Sequence, residues 1–145
     1  MMQRHVEDLL NHRRLVSLPS GASARDAARR MKAARVASVL VIGPGDGRIE
    51  GIFTERDLTD RVVADGLDPD ATPLSAVMTP CPVTADLDST ACEALRRMAR
   101  DGLRHLPVTH DGHAVGMLSM RDFLGAELAV LERERAMMET LAEVM

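Results

Sequence analysis

The hydrophobic pattern of the first half alternates between short strand-like runs and helical stripes. A continuous apolar, β-branched run at residues 38–42 predicts a buried strand, and residues 48–53 return as a second strand after a glycine-rich turn. A short extended piece at residues 16–18 comes before this hairpin. A helix capped by Ser23 separates the two, and another runs over residues 54–66. The first half therefore reads strand, helix, strand, strand, helix. The stripe of the first helix is Ala24, Ala28 and Met31.

The second half repeats this order of elements. Residues 83–84 form the short strand, and Thr90 opens a helix through a capping box. Residues 105–109 and 114–118 form the next hairpin, and Ser119 opens a last helix that we expect to continue without a break. The stripe of the capped helix is Ala91, Leu95 and Met98.

One heptapeptide occurs in both halves, as Gly-Ile-Phe-Thr-Glu-Arg-Asp at residues 51–57 and Gly-Met-Leu-Ser-Met-Arg-Asp at residues 116–122. The alignment needs a single gap, which falls in the turn of the first hairpin, where insertions are tolerated. We conclude that the chain is an internal duplication. The predicted division is a first repeat with an N-terminal helix (1–66), a connector (67–71), a second repeat (72–128) and a C-terminal helical extension (129–145).

Composition narrows the possible functions. A net charge of −4 and the absence of Trp and Tyr argue against nucleic-acid binding, which needs a positive field or stacking platforms. No apolar run has the length of a membrane span and the N-terminus leads into no signal-type region, so a cytoplasmic location is expected. Cys81 and Cys92 are isolated and predict free thiols. His110 and His113 flank a turn without a third ligand nearby, so no metal site is predicted.

The repeated motif allows two interpretations. Thr54 with Asp57, and Ser119 with Asp122, fit a capping box at a helix start. The same residues also suit a sugar-containing ligand. The hydroxyl lies at a helix N-terminus, and the Asp that follows can accept hydrogen bonds from a vicinal diol. Capping does not explain the glycine at position 51 or 116, which would leave room for a ligand to approach the strand. We favour the ligand site.

The tandem unit, its two motif copies and the Arg-His-Leu-Pro-Val stretch at residues 104–108 resemble the paired cystathionine-β-synthase (CBS) domains. The resemblance implies an α+β, sandwich-like fold with pseudo-twofold symmetry, and clefts between the repeats that bind AMP, ADP, ATP or S-adenosylmethionine. It also implies the roles of the site residues. The ribose and hydroxyl candidates are Thr54, Asp57, Ser119 and Asp122; the phosphate candidates are Arg104, His105, Arg56 and Arg121; the adenine-slot candidates are Val16, Leu18, Val83 and Ala85.

The two repeats differ at the phosphate positions, because Ala37 and Ser38 align with Arg104 and His105. We therefore expect unequal clefts, although which cleft Arg104 reaches is left open. No catalytic constellation is apparent, so the leading hypothesis is a nonenzymatic adenosine-ligand sensor that signals to an unidentified protein partner. The alternative is a dimerisation or scaffold module that needs no ligand. The resemblance implies a homodimer. Heptad-like spacing runs from Leu124 through the C-terminal extension to Met145, and it suits either packing on the body of the same chain or pairing with another chain.

Overall fold

The computed structural model describes residues 4–10, 15–45, 47–80, 83–123 and 125–144, and side chains within those ranges except at 126 and 144. Predictions that concern Leu124, Met145 and Cys81 lie outside the described residues. The elements of the first half are α1 (Val6–Leu10), β1 (Ser17–Pro19), α2 (Ala24–Ala34), β2 (Ser38–Ile42), β3 (Ile49–Thr54) and α3 (Glu55–Asp57), which continues as a π-helix (Leu58–Val63). The remaining elements are α4 (Leu74–Val77), β4 (Thr79–Pro80), β5 (Ala85–Asp86), α5 (Ala91–Asp101), β6 (His105–His110), β7 (His113–Ser119), a 3₁₀ turn (Met120–Asp122) and α6 (Gly125–Val144).

The strands form two small sheets that repeat one pattern. In the first, the order is β1-β2-β3-β4, with β1 parallel to β2 and the other pairs antiparallel. In the second, the order is β5-β6-β7, with β5 parallel to β6 and β6 antiparallel to β7. The mixed α+β architecture and the repeated strand order confirm the predicted fold class.

Local sequence explains the two long helices that cover the sheets. Ser23 and Thr90 each accept a hydrogen bond from the backbone N–H three residues on, and the acid at that position accepts from the cap in return. Arg35 follows α2 and Gly102 follows α5 as C-caps, both in the left-handed conformation with φ of 56° and 66°. Glycine adopts the left-handed conformation at least cost, and the second repeat has glycine at this position. The first repeat has Arg35 there instead.

The hydrophobic cores show that the leading helix of each repeat packs into the other repeat. Val6 and Leu9 of α1 are buried among second-repeat residues such as Leu106. Leu74 and Val77 of α4 are buried in the core of the first repeat. The sequence pattern did not predict this exchange.

Backbone hydrogen bonds fix the exchanged helices in equivalent ways. The Ala91 N–H donates to the carbonyl of Arg4 at 2.8 Å, and the Ala24 N–H donates to the carbonyl of Thr72 at 2.9 Å. Because the same backbone contact occurs in both halves, the exchange belongs to the duplicated plan of the fold.

Several predicted elements need correction. The short strand of the second repeat lies at Ala85–Asp86 and not at residues 83–84. In α2 the buried alanines are Ala24 and Ala27, whereas Ala28 is half-buried. The last helix does not run on from Ser119, because Phe123 is extended at φ −92°, ψ 145° and buries its ring in the core before α6 begins.

Candidate functional site

The first copy of the motif forms a complete capping box at the end of β3. The Thr54 hydroxyl accepts from the Asp57 N–H at 3.1 Å, and the Asp57 carboxylate accepts from the Thr54 N–H at 3.0 Å. The side chain of Asp57 is only 13% exposed, and its second oxygen lies 3.8 Å from Nε of Arg61. Capping therefore uses one carboxylate oxygen and leaves acceptor capacity on the other.

Arg61 is a residue of this site that sequence reasoning missed. Besides facing Asp57, its guanidinium donates to the carbonyls of Val77 at 3.2 Å and Met78 at 3.1 Å. It thus ties the motif of the first repeat to the C-terminal end of α4. The helical spacing of four residues between Asp57 and Arg61 was the available signal.

The second copy has a related arrangement. The Asp122 carboxylate accepts from the Ser119 N–H at 2.7 Å and lies 3.4 Å from the Ser119 hydroxyl. The carbonyl of Asp122 accepts from Arg4 at 3.2 Å, and Arg4 also forms a bidentate pair with the buried Glu127 of α6. Arg4, which precedes α1, thereby connects the second motif to the start of α6.

The motif glycines serve the fold, which corrects the expectation that they make room for a ligand. A Cβ on Gly51 would lie 2.6 Å from Sδ of Met78 and 2.7 Å from the carbonyl oxygen of Thr79. A Cβ on Gly116 would lie 2.6 Å from a methyl carbon of Leu10. Each glycine faces the chain segment that enters from the opposite repeat, so that segment occupies the space beside the strand.

The structure brings the two repeats together in a cleft of about 350 Å³, which we call the first cleft. Thr54 and Asp57 come from the first repeat, and Arg104 and His105 come from the second. The open question about Arg104 is therefore answered: it lies across from the motif of the other repeat. The remaining lining residues are Ala37, Ile52, Glu55, Arg56, Thr79, Gly102 and Leu103.

The second cleft is related to the first by the pseudo-twofold symmetry but measures only about 60 Å³. Ser119 and Arg121 of the second repeat face Arg35 and Ser38 of the first. Ligand pockets commonly occupy about 300–1,000 Å³, so the first cleft has the size of a small-molecule site and the second does not. The other lining residues are Leu15, Val16, Val36, Ala37, His105 and Met117.

His105 lies between the first and the second cleft and contributes to the lining of both. Burial lowers the pKa of its imidazole, and the nearby charges of Arg121 and Arg104 lower it further. Glu55 and Asp122 act in the opposite direction. The net effect favours the neutral imidazole, which can donate one hydrogen bond and accept another.

The remaining predicted ligand-binding residues, one phosphate candidate and four adenine-slot candidates, do not lie together in one cleft. Arg56 lines the first cleft with a side chain that is 73% exposed, and its Nε lies 3.4 Å from Asp60. Val16 is buried and lines the second cleft. Leu18 packs against the first core and lines a shallow surface depression. Val83 is 38% exposed and Ala85 is buried in the second core, and neither lines the two clefts.

Two further sequence predictions can be compared with the described residues. Cys92 is a half-buried free thiol, as expected. The sequence predicted no metal site at His110, but the structure places its ring near Asp86 and Asp88, with candidate ligand atoms of the three residues within 4.8 Å of one another. All three residues are exposed.

In the part of the chain that the structure describes, no helix is long and apolar enough to cross a membrane.

Two sheets with the same strand order and a cleft between the halves define a tandem α+β repeat fold. The chain belongs to the CBS domain family, whose model matches residues 6–64 and 74–129. It is 37% identical over 118 residues to a CBS domain-containing protein of Arabidopsis thaliana, covering 81% of this chain and 21% of that protein. An uncharacterised protein of Methanopyrus kandleri is 34% identical over 116 residues, covering 77% of this chain and 59% of the other. The chain thus spans about a fifth of the plant relative.

A solved structure gives a closer comparison for the whole fold. A CBS domain protein from Pyrobaculum aerophilum, complexed with AMP, matches with a TM-score of 0.79 and 31% identity. The match covers 89% of this chain and 98% of that one. The fold and its tandem organisation are therefore those of a CBS pair.

Proposed function

We propose that the chain is a regulatory module that binds one adenine nucleotide in the first cleft. The observation that carries this proposal is the cleft of about 350 Å³ in which Thr54 and Asp57 face Arg104 and His105 across the repeat boundary. The AMP complex of the protein from Pyrobaculum aerophilum supports the class of ligand. A regulatory and nonenzymatic role in the cytoplasm is part of this proposal.

The chemistry of the lining suits a nucleotide. The Asp57 oxygen that the cap leaves available would accept from a ribose diol, while Arg104 and Arg56 would bind phosphate. Ile52 and Leu103 offer apolar surface for the base. Val16, Leu18, Val83 and Ala85 do not line this cleft, and their contact with an adenine base stays a prediction. Ser119, Asp122 and Arg121 are the residues of the second repeat that correspond to Thr54, Asp57 and Arg56.

Electrostatics favours a phosphate-bearing ligand over S-adenosylmethionine. Arg56 and Arg104 provide two permanent positive charges in the first cleft, against the carboxylates of Glu55 and Asp57. A phosphate can accept charged hydrogen bonds from the guanidinium groups, and S-adenosylmethionine has no phosphate to take that place. We therefore expect AMP, ADP or ATP to bind more tightly than S-adenosylmethionine.

Calorimetric titration with AMP, ADP, ATP and S-adenosylmethionine tests the proposal, with Asp57→Asn and Asp122→Asn as a matched pair. Asparagine keeps one carbonyl acceptor for the cap, so the helix start should survive. Loss of a charged hydrogen bond costs about 1.5–3 kcal/mol, or roughly 10- to 150-fold in affinity. We expect that loss for Asp57→Asn and nearly unchanged binding for Asp122→Asn. No binding by any of the four compounds, or loss only in Asp122→Asn, would overturn the proposal.

Binding across the repeat boundary gives the ligand a means of regulation. A nucleotide that contacts both repeats favours the arrangement in which Asp57 and Arg104 are correctly spaced, and a partner can recognise that arrangement. A homodimer is part of this proposal. A crosslinking screen with and without AMP would identify a partner whose capture depends on the nucleotide.

A second function is favoured by the exposed end of α6, where Met137 and Met138 are 67% and 68% exposed. In this alternative the chain assembles through its helices without a ligand. Deleting residues 136–145 separates the two functions, because it keeps Glu134, which forms the described hydrogen bonds from α6 to Arg96 of α5. Loss of assembly with nucleotide binding retained would show that the module has both functions, whereas assembly without any nucleotide binding would favour the alternative.

A further inference from the structure

One arginine of the first repeat contacts the motif from outside the first cleft. Arg61 belongs to the π-helix that follows Asp57, and helices of this rare kind occur frequently at functional sites. Its Nε lies 3.8 Å from Oδ1 of Asp57. Asp57 lines the first cleft, whereas Arg61 is not one of the lining residues. Any effect of Arg61 on a ligand in that cleft is therefore transmitted by the residues that Arg61 contacts.

The other contacts of Arg61 hold its guanidinium in place. Although the side chain is 48% exposed, Nη1 donates to the carbonyls of Val77 at 3.2 Å and Met78 at 3.1 Å. These carbonyls lie at the C-terminal end of α4, where a positively charged donor is favourable. The guanidinium thus has two backbone acceptors on one side and the carboxylate of Asp57 on the other.

The two carboxylate oxygens of Asp57 are held by different groups. Oδ2 accepts from the Thr54 N–H at 3.0 Å, whereas Oδ1 faces Arg61. The terminal torsion of an aspartate has a broad energy minimum, so a carboxylate held at one oxygen can still turn. The charge of Arg61 restrains the second oxygen, which is the one that the cap leaves available for a ligand. A binding group is precise when its neighbours fix its orientation in this way.

The second repeat lacks an equivalent of this arginine. Position 126, which aligns with Arg61, is alanine and carries no charge. The second motif also continues as a 3₁₀ turn at Met120–Asp122 and not as a π-helix. An arginine that contacts the motif aspartate from the following helix is therefore specific to the first repeat, which supplies Thr54 and Asp57 to the larger cleft.

We propose that Arg61 is a positioning residue that makes the first cleft selective for ribonucleotides over 2′-deoxyribonucleotides. This inference rests on the proposed nucleotide-binding function. Arg61 fixes Oδ1 of Asp57 in the direction from which the cis-diol of a ribose donates its hydrogen bonds. A 2′-deoxyribose lacks one of these donors, and a site built to bind a hydroxyl discriminates against an analogue without it. Without Arg61 the carboxylate can turn, so the advantage of the diol is lost.

Calorimetric titration with AMP and with 2′-deoxy-AMP tests the role of Arg61. In the parent protein AMP should bind at least about 10-fold more tightly than 2′-deoxy-AMP, because a hydrogen bond to a charged group is lost with the hydroxyl. Arg61→Met should weaken AMP binding by about 5- to 20-fold and 2′-deoxy-AMP binding by less than about 2-fold. The control is Arg30→Met, which removes the same charge from an exposed position of α2 and should leave both affinities unchanged.

The double variant Asp57→Asn/Arg61→Met tests whether Arg61 acts through Asp57. If it does, Arg61→Met should weaken AMP binding by less than about 2-fold when Asp57→Asn is already present. Urea unfolding of each variant shows whether it is folded. If Arg61→Met does not fold, Arg61→Lys makes the same comparison, since lysine keeps the charge but not the planar fork that reaches three acceptors.

The results distinguish this inference from the proposed function. Equal losses for AMP and 2′-deoxy-AMP in Arg61→Met would indicate a general effect of charge or structure, and they would overturn the positioning role alone. Independent effects of Asp57→Asn and Arg61→Met on AMP binding would overturn it in the same way. If the parent protein binds neither nucleotide, the proposed function fails, and this inference fails with it.

Discussion

Alanine at the motif glycines should separate a packing role from a ligand role. At Gly51 the new Cβ would lie 2.7 Å from the backbone oxygen of Thr79 as well as 2.6 Å from Sδ of Met78. At Gly116 its three nearest atoms would all belong to the Leu10 side chain, the closest at 2.6 and 3.0 Å. A leucine side chain can rotate away, whereas a backbone carbonyl paired within a sheet cannot. The two substitutions therefore differ in how much the structure must move.

The expected magnitudes follow from this difference. Overpacking a tight interior costs typically about 1–3 kcal/mol, and rigid backbone contacts lie toward the upper end. We expect Gly51→Ala to lower the free energy of unfolding by about 2–3 kcal/mol. We expect Gly116→Ala to lower it by about 1 kcal/mol, because the Leu10 side chain absorbs part of the overlap.

Equilibrium unfolding in urea measures these free energies. Gly21→Ala is the matched control, since its Cβ would meet no atom within 4 Å and its effect should lie within about 0.5 kcal/mol of zero. Truncating Leu10 to alanine should make Gly116→Ala nearly neutral in the double variant. Truncating Met78 should relieve only part of the Gly51→Ala cost, because the Thr79 carbonyl stays in place.

Two outcomes would refute this reasoning. If Gly51→Ala unfolds like the parent protein but binds AMP much more weakly, the glycine makes room for the ligand and not for the chain segment. If Gly116→Ala is the more destabilising variant, the argument that the Leu10 side chain moves aside more easily than the Thr79 carbonyl is wrong. Each urea titration gives the midpoint and the slope of the unfolding free energy against urea concentration. A change in that slope would show that the substitution alters the denatured state.

Three further predictions concern single side chains. Arg35→Gly should stabilise the protein by about 1 kcal/mol, because the position has φ 56° and glycine occupies the equivalent position at Gly102; differential scanning calorimetry would show a raised Tm. Since the pKa of His105 is lowered chiefly by burial, the unfolded chain binds a proton more readily than the folded one, and stability should fall as pH drops below about 6.5. His105→Gln should flatten that dependence between about pH 7.5 and about pH 5.5 in urea titrations, and an unchanged pH dependence would contradict the assignment. Arg4→Met should lower the free energy of unfolding by about 1–3 kcal/mol, because it removes two charged hydrogen bonds to the buried Glu127; Glu127→Leu in the same chain should restore part of the loss.

The duplication made much of the fold predictable. Capping boxes at Ser23 and Thr90 marked the starts of α2 and α5, because a cap needs only residues close in sequence. The β2–β3 and β6–β7 hairpins followed from short apolar runs joined by glycine-containing turns. These features depend on local interactions, which the sequence displays directly.

Features that depend on distant contacts were not predictable in the same way. The apolar residues of α1 predict a helix, but they do not show which repeat that helix packs against. Phe123 interrupts a helical sequence pattern, because its ring is buried in the core of the second repeat. β4 contains Pro80, which argues against a strand, and it pairs at the edge of the sheet where a missing N–H is tolerated. The different volumes of the two clefts also depend on tertiary placement, since Arg104 and Arg35 face motifs of the opposite repeats.

The exchanged helices limit how a ligand in the first cleft can act. Separating the repeats would expose Val6, Leu9, Leu74 and Val77, and returning four such side chains to water costs roughly 6–12 kcal/mol. That amount is comparable with the whole stability of a small domain, about 5–15 kcal/mol, so wide opening of the repeats amounts to unfolding. A nucleotide must therefore act through smaller shifts within the closed arrangement. Arg4 is placed to carry such a shift, because it contacts the carbonyl of Asp122 beside the second motif and the carboxylate of Glu127 at the start of α6. Movement at the repeat boundary would thus reach α6 through Arg4.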